Sequence, residues 1–190
     1  MASAASRRGA FAWDFSRRLL NYATWVPVVI CVNTFVAEVT SIRGGSMYPF
    51  LNSDKDSTLT RDVALNWKLH PDRGLARGMI VVFKSPLNPE TTAVKRIIGV
   101  EGDLVWSRNP HEPEAIRVPP GHIWVEGDAG TDRESLDSNV YGPVSVRLVT
   151  GRLTHILYPW KKFGRIRWWE HPSRIEPRHL GSWAGRRREW

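Results

Sequence analysis

Disulfide chemistry is excluded at the outset. The 190 residues hold one cysteine, Cys31, so no internal bridge can form and stability has to come from packing. Cys31 also sits in an apolar run, a setting that does not favour a reactive, solvent-poised thiol. Acidic residues are scarce, 19 against 27 lysines and arginines, for a formal charge of +8. That balance suits an anionic membrane surface or a nucleic acid, and the placement of the charges decides between them. There are no internal repeats, and the length suits one compact domain with extensions and not two separate cores. What is present is ordinary: 42% hydrophobic and 24% charged residues argue for a packed core and against general disorder.

Long apolar runs are nearly absent too. One stretch, LLNYATWVPVVICVNTFVAEV over residues 19–39, has the length to cross about 30 Å of hydrocarbon as a helix. Asn21, Thr24, Asn33 and Glu38 dilute it, and Pro27 would kink a helix there. A membrane anchor over residues 19–40 is the expectation, with a buried or interfacial helix as the alternative. Residues 1–18 carry Arg7, Arg8, Arg17 and Arg18 against Asp14 alone, a composition shared by organellar targeting segments and by plain basic flanks. These arginines would keep the N-terminus on the positive-inside face and send the chain beyond Thr40 to the other side.

Past residue 40 helical periodicity is weak. Short apolar runs separated by Gly, Pro, Asn and Asp predict a mainly β domain over residues 41–160. Candidate strands cover residues 79–83, 92–100, 104–106 and 123–126, with 144–156 in one or two pieces. Residues 61–70 fit either a strand or a helical turn. Residues 161–190, rich in Arg and Trp, read as a tail that contacts headgroups or a partner, or is a soluble extension.

Two positions stand out chemically. Gly44-Gly45-Ser46-Met47-Tyr48-Pro49 puts a hydroxyl in a loop whose glycines let the backbone approach a ligand. Alone, this pattern is more often a turn. A nucleophilic serine needs a base, and none of the six histidines falls in a recognisable Ser-His-Asp arrangement; His122 reads as a structural hydrogen bonder. Lys95 lies inside the candidate strand Thr92-Ala93-Val94-Lys95-Arg96-Ile97, where side chains alternate, so one of Lys95 and Arg96 should point inward. A buried amine without a counter-ion loses basicity and can serve as a base near neutrality. Taken alone, the pair also fits a solvated edge strand.

Four blocks together go further. Ser-Met-x-Pro at 46–49, Arg-Gly-x-Ile-Val-x-Phe at 77–83, Lys-Arg-x-x-Gly-x-x-Gly-Asp at 95–103, and Gly-Asp at 127–128 followed by Ser-x-Asp-Ser-Asn-x-x-Gly-Pro-Val at 135–144 occur in this order. The arrangement resembles the type I signal peptidase family over about residues 20–160. Asp137-Ser138-Asn139, where bacterial relatives carry Arg after Asp-Ser, and the run Pro119-Pro120-Gly121-His122-Ile123-Trp124-Val125-Glu126-Gly127-Asp128 resemble its mitochondrial inner membrane branch. Lysine at 95 departs from the endoplasmic reticulum type, which uses histidine.

The resemblance implies an antiparallel β catalytic domain behind one N-terminal membrane-anchoring helix, with Ser46 as nucleophile and Lys95 as general base. Ser135 would hold the lysine amine, and Asp128 and Asp137 would brace the site. Arg96 would pair with one of these carboxylates or form a surface salt bridge of little consequence. Ile42 and Met47 are candidate walls of the substrate pocket, or simply core. No metal or cofactor is implied. The implied partners are membrane-inserted precursors with hydrophobic sorting segments, the membrane, and a related catalytic subunit; nucleic acid is not expected. The implied location is the mitochondrial inner membrane, single-pass, with the catalytic domain in the intermembrane space. One position departs from bacterial members: their serine two residues before the nucleophile, an oxyanion donor, is Gly44 here. Two other readings stay in play, a non-catalytic assembly subunit and a basic membrane- or nucleic-acid-binding protein.

Overall fold

The computed structural model describes residues 18, 21–52, 61–108, 115–129, 136–172 and 175. A short helix, Val26–Cys31, continues as a π-helical turn, Val32–Val36. Residues 18 and 21–23 are also helical, and a turn at residues 24–25 interrupts the helix just before Pro27, which takes the first turn of the segment that restarts at Val26. The apolar segment then stops being helical earlier than expected. Ala37–Ser41 forms strand β1, since Val39 and Thr40 suit a pleated edge and the segment finds a partner. Among the described residues, no helix is long and apolar enough to cross a membrane. Trp25, Val29, Ile30 and Phe35 nevertheless point their side chains outward and exposed.

The other strands are β2 (Val63–Trp67), β3 (Ile80–Lys84), β4 (Thr92–Gly99), β5 (Leu104–Trp106), β6 (Ala115–Arg117), β7 (His122–Glu126), β8 (Val144–Ser145), β9 (Val149–Tyr158) and β10 (Gly164–Arg165). One antiparallel sheet runs in the order β1-β2-β9-β3-β4-β7-β8, with β10 paired to β9, and β5 and β6 form a separate two-stranded ribbon. Residues 61–70 thus resolve as a strand, β2, held between β1 and β9.

β3 shows why its sequence, IVVF, is apolar without alternation. Ile80 and Val82 enter one core cluster with Ile42, Met47, Leu51 and Ile156. Val81 and Phe83 enter another with Ile97, Ile123 and Val125. Successive side chains take opposite faces, and both faces here are covered. A third cluster joins Ile98 and Trp124 to Val105 and Val118 beneath the β5–β6 ribbon. Gly99 permits that contact, since a Cβ there would lie 2.6 Å from Val105 Cγ2.

The ordered chain also runs past residue 160, where the tail was expected to begin. Gly164 and Arg165 pair with Ile156 and His155 of β9, and Ile166 is buried in the first core cluster. This apolar anchor fastens the segment to the domain.

Candidate active site

The loop after β1 carries Ser46. Met47, 2% exposed, and Leu51 plug into the core on either side of the Tyr48–Pro49 turn, so the loop cannot swing as a free tether. The Tyr48 N–H donates to the Gly45 carbonyl at 2.9 Å, and the Ser46 carbonyl accepts the Ala129 N–H at 3.1 Å. Gly44 has φ +88° and open space where a Cβ would be. The left-handed backbone, not crowding, therefore favours glycine at this position, and no side-chain donor is offered there.

Residues 40–47 form one wall of a cleft of about 630 Å³, and residues 91–95 of β4 and its approach form the other. Ser46 and Lys95 both line it, as do Val82 and the exposed Leu136. Ile42 and Met47 line the cleft and also belong to the first core cluster. No described histidine lines the cleft. His122 Nδ1 is 2.9 Å from the Pro120 carbonyl oxygen in a local turn.

Lys95 faces across the β3–β4 ladder from Val81 and is 4% exposed. Burial pushes its amine below the ordinary lysine value of 10.5, because the ammonium loses water; the charges of Asp137 and Asp128 oppose the shift without cancelling it. Arg96, next along the strand, is 2% exposed. The expectation that one of the pair points inward is therefore exceeded: both are buried, on opposite faces of a strand covered on both sides.

Arg96 does not form a surface salt bridge. Its Nε and Nη2 donate to Asp128 Oδ1 and Oδ2 at 2.8 and 2.6 Å, and Nη1 donates to the Gly78 carbonyl at 2.9 Å. The guanidinium also lies 4.7 Å from the centroid of the Phe50 ring, on the far side of the serine loop. A planar fork on a carboxylate with a third, backbone acceptor fixes the Gly127-Asp128-Ala129 turn, the same turn whose Ala129 N–H holds Ser46. Arg77 and Asp103 form a second fork, at 2.8 and 2.5 Å, which places two more box residues outside the cleft.

Asp137 begins the short helix Ser138–Tyr141. Its Oδ1 accepts the Asn139 N–H at 3.1 Å and Asn139 Nδ2 at 2.9 Å, and its Oδ2 accepts the Gly127 N–H at 3.0 Å. Asn139 thus supplies a neutral donor to Asp137 in the position where bacterial relatives carry arginine. Ser138 is buried and accepts the Val125 N–H at 2.9 Å, which makes it a joint between helix and β7. Ser135 lies outside the described residues. Among the described residues, no group of His, Cys, Asp or Glu side chains converges as a metal site.

Sequence reasoning missed Asn52, Asp62 and Lys162, which close the neck of the serine loop. It also missed Glu126, which is buried, accepts Trp124 Nε1 at 2.8 Å and lies 3.4 Å from Arg108 Nε. Only the oddity of acidic and amide residues beside apolar runs could have flagged them.

The comparisons with known proteins agree with one another. The family model described as signal peptidase, peptidase S26, matches residues 16–112. The chain is 41% identical to mitochondrial inner membrane protease subunit 2 of Schizosaccharomyces pombe over 166 residues, 87% of this chain and 89% of that one. It is 37% identical to the Saccharomyces cerevisiae protein of the same name, over 79% of this chain and 84% of that one. It is also 34% identical to mitochondrial inner membrane protease subunit 1 of Mus musculus, over 72% and 79% of the two chains.

Proposed function

The chain belongs to the signal peptidase family, peptidase S26, and on that premise we propose that it is a serine endopeptidase working through Ser46 and Lys95 in the mitochondrial inner membrane. The observation that carries the proposal is the shared cleft: a half-buried serine and a desolvated lysine line it together.

In this mechanism neutral Lys95 takes the Ser46 Oγ proton as the oxygen attacks the scissile carbonyl carbon. The Ser46 N–H stabilises the resulting oxyanion. The C–N bond breaks, the Lys95 ammonium returns its proton to the leaving amine, and the acyl group stays on Ser46. Lys95 then activates a water, which releases the N-terminal piece and regenerates the hydroxyl.

Sheet topology favours an extended substrate. The β4 ladder with β7 begins at Arg96, whereas its ladder with β3 extends back to Thr92, so residues 92–94 have a strand neighbour on one side only among the described residues. A peptide strand fits between that edge and residues 40–44 on the facing wall. Its small side chains would rest against Ile42, Met47 and Val94.

Location at the membrane is supported by the exposed apolar side chains of residues 22–35 and by the names of the relatives. In this reading the segment over residues 19–40 anchors the chain once, and the catalytic domain faces the intermembrane space. Precursors with hydrophobic sorting segments would then meet the site at high effective concentration. A second subunit resembling the subunit 1 relatives would be the natural partner.

The test is processing of a membrane-inserted precursor by the reconstituted full chain, with and without the related subunit. Ser46→Ala and Lys95→Ala should each abolish cleavage while folding is preserved. Intact cleavage by either variant would assign the chemistry elsewhere and favour a non-catalytic supporting role.

A further inference from the structure

The serine loop is flanked by glycines that impose nothing on it. Around Gly44 and Gly45 there is open space at the Cβ positions, so no side chain at either residue fixes the peptide planes that lead into Ser46. The plane that carries the Ser46 N–H is held by the Tyr48 N–H on the Gly45 carbonyl, and the Gly44–Gly45 plane that leads into it needs a hold of its own.

Asn52 supplies it from the other end of the loop. Its Nδ2 donates to the Gly44 carbonyl at 2.9 Å and to the Ile42 carbonyl at 3.1 Å. Its Oδ1 accepts the Asp62 N–H at 2.9 Å, and its own N–H donates to Asp62 Oδ2 at 3.0 Å. Both amide hydrogens are thereby used. The residue is buried, with φ +52°, a left-handed conformation that asparagine tolerates better than most side chains. Asp62 returns its carbonyl to the Ile42 N–H at 2.9 Å. Lys162 completes the brace, its Nζ donating to the Phe50 carbonyl at 3.0 Å and to Asp62 Oδ2 at 3.3 Å.

We infer that Asn52, braced by Asp62 and Lys162, is a positioning residue for the nucleophile: it holds the Gly44 carbonyl, fixing the Gly44–Gly45 peptide plane one step before the peptide that carries the Ser46 N–H, and so sets how the chain enters Ser46. Ser46 is then fixed from both sides, by Asn52 through Gly44 and by the Ala129 N–H on its own carbonyl. The inference rests on the Ser46/Lys95 reading above and adds what aims the serine. It also gives the segment around Lys162 a part in catalysis.

Asn52→Asp keeps the shape and replaces both donated hydrogens with an acceptor facing two carbonyls. We would measure kcat and KM on a membrane-inserted precursor, normalised to the folded fraction from urea unfolding, alongside Lys162→Met, Lys162→Arg and Ser46→Ala. The expected result is a kcat lower by about 10- to 100-fold for Asn52→Asp, with KM and the pH midpoint of the rate little changed. Lys162→Met should lower kcat in the same sense, and Lys162→Arg should restore most of it. Should Asn52→Asp fail to fold, the Lys162 pair decides on the same criteria. Wild-type kcat in folded Asn52→Asp, a rise in KM alone, or equal kcat in both Lys162 variants would overturn the inference while Ser46→Ala stays inactive. Cleavage by Ser46→Ala would overturn the underlying dyad, and the inference with it.

Discussion

Arg96→Met removes a buried guanidinium and leaves its partners behind. Asp128 would lose donors at 2.8 and 2.6 Å, and the Gly78 carbonyl its donor at 2.9 Å. Breaking a buried pair from one side costs about 3–5 kcal/mol, because the remaining charge is left without compensation. Asp128 is 10% exposed against 2% for Arg96, so some water can reach the orphaned carboxylate. The methionine also keeps apolar contact with Phe50. Both effects favour the lower end, about 3 kcal/mol. For a domain of this size that lowers the urea midpoint by about 1–3 M.

A second effect separates this account from simple loss of packing. Asp128 acts electrostatically on Lys95 and raises its pKa. Without Arg96, that negative charge is less compensated, so Lys95 should hold its proton to higher pH and the rate profile should move upward with it. The assay is urea unfolding of the full chain in detergent, paired with cleavage rates across pH. Arg96→Met/Asp128→Leu, with no charge left to strand, should recover much of the stability and return the profile toward lower pH. A single variant within about 1 kcal/mol of wild type, the range of exposed pairs, with an unmoved pH midpoint, would refute the buried-fork reasoning.

Three other outcomes follow from the same geometry. Because burial depresses Lys95 below 10.5, log kcat/KM should rise with unit slope as the amine deprotonates and level off at a midpoint below that value; a midpoint at or above 10.5 would contradict a desolvated base. Between the folded and unfolded pKa values of Lys95 the unfolded chain binds the extra proton, so stability should rise with pH across that window. Lys95→Met should abolish this rise and be the more stable protein below the window, whereas parallel stability curves for the two proteins would refute the linkage. Gly78→Ala would set a Cβ 2.2 Å from the Trp168 carbonyl oxygen at a residue with φ +87°. It should cost about 1–3 kcal/mol for the strained backbone alone, read as a lowered urea midpoint, and an unchanged midpoint would mean that the Trp168 turn yields freely.

Candidates for the chemistry could be named from the sequence because their information is local. A serine between glycines and a proline, and a lysine inside an apolar run, can each be named from neighbours in the chain, and block order ties them to a family. Strands with continuous apolar content, such as β3, were visible for the same reason. The break in the helix at residues 24–25, just ahead of Pro27, was visible too, because a proline disturbs its own neighbours. Residues 37–40 were taken for the end of an anchor because their strand character depends on pairing with β2.

The partners of the buried charges were beyond reach of the chain read as a line. Arg96 meets Asp128, Asn52 meets Asp62, and Lys162 closes on both Asp62 and the Phe50 carbonyl, pairings set by strand register and loop closure. The sequence by itself determined which groups could do chemistry, since that follows from residue type and immediate setting. Only the tertiary structure decided which of them are desolvated, which are neutralised and what holds the serine in place. Burial and hydrogen bonding are properties of the space around a side chain, and that space is filled by residues far away in the chain.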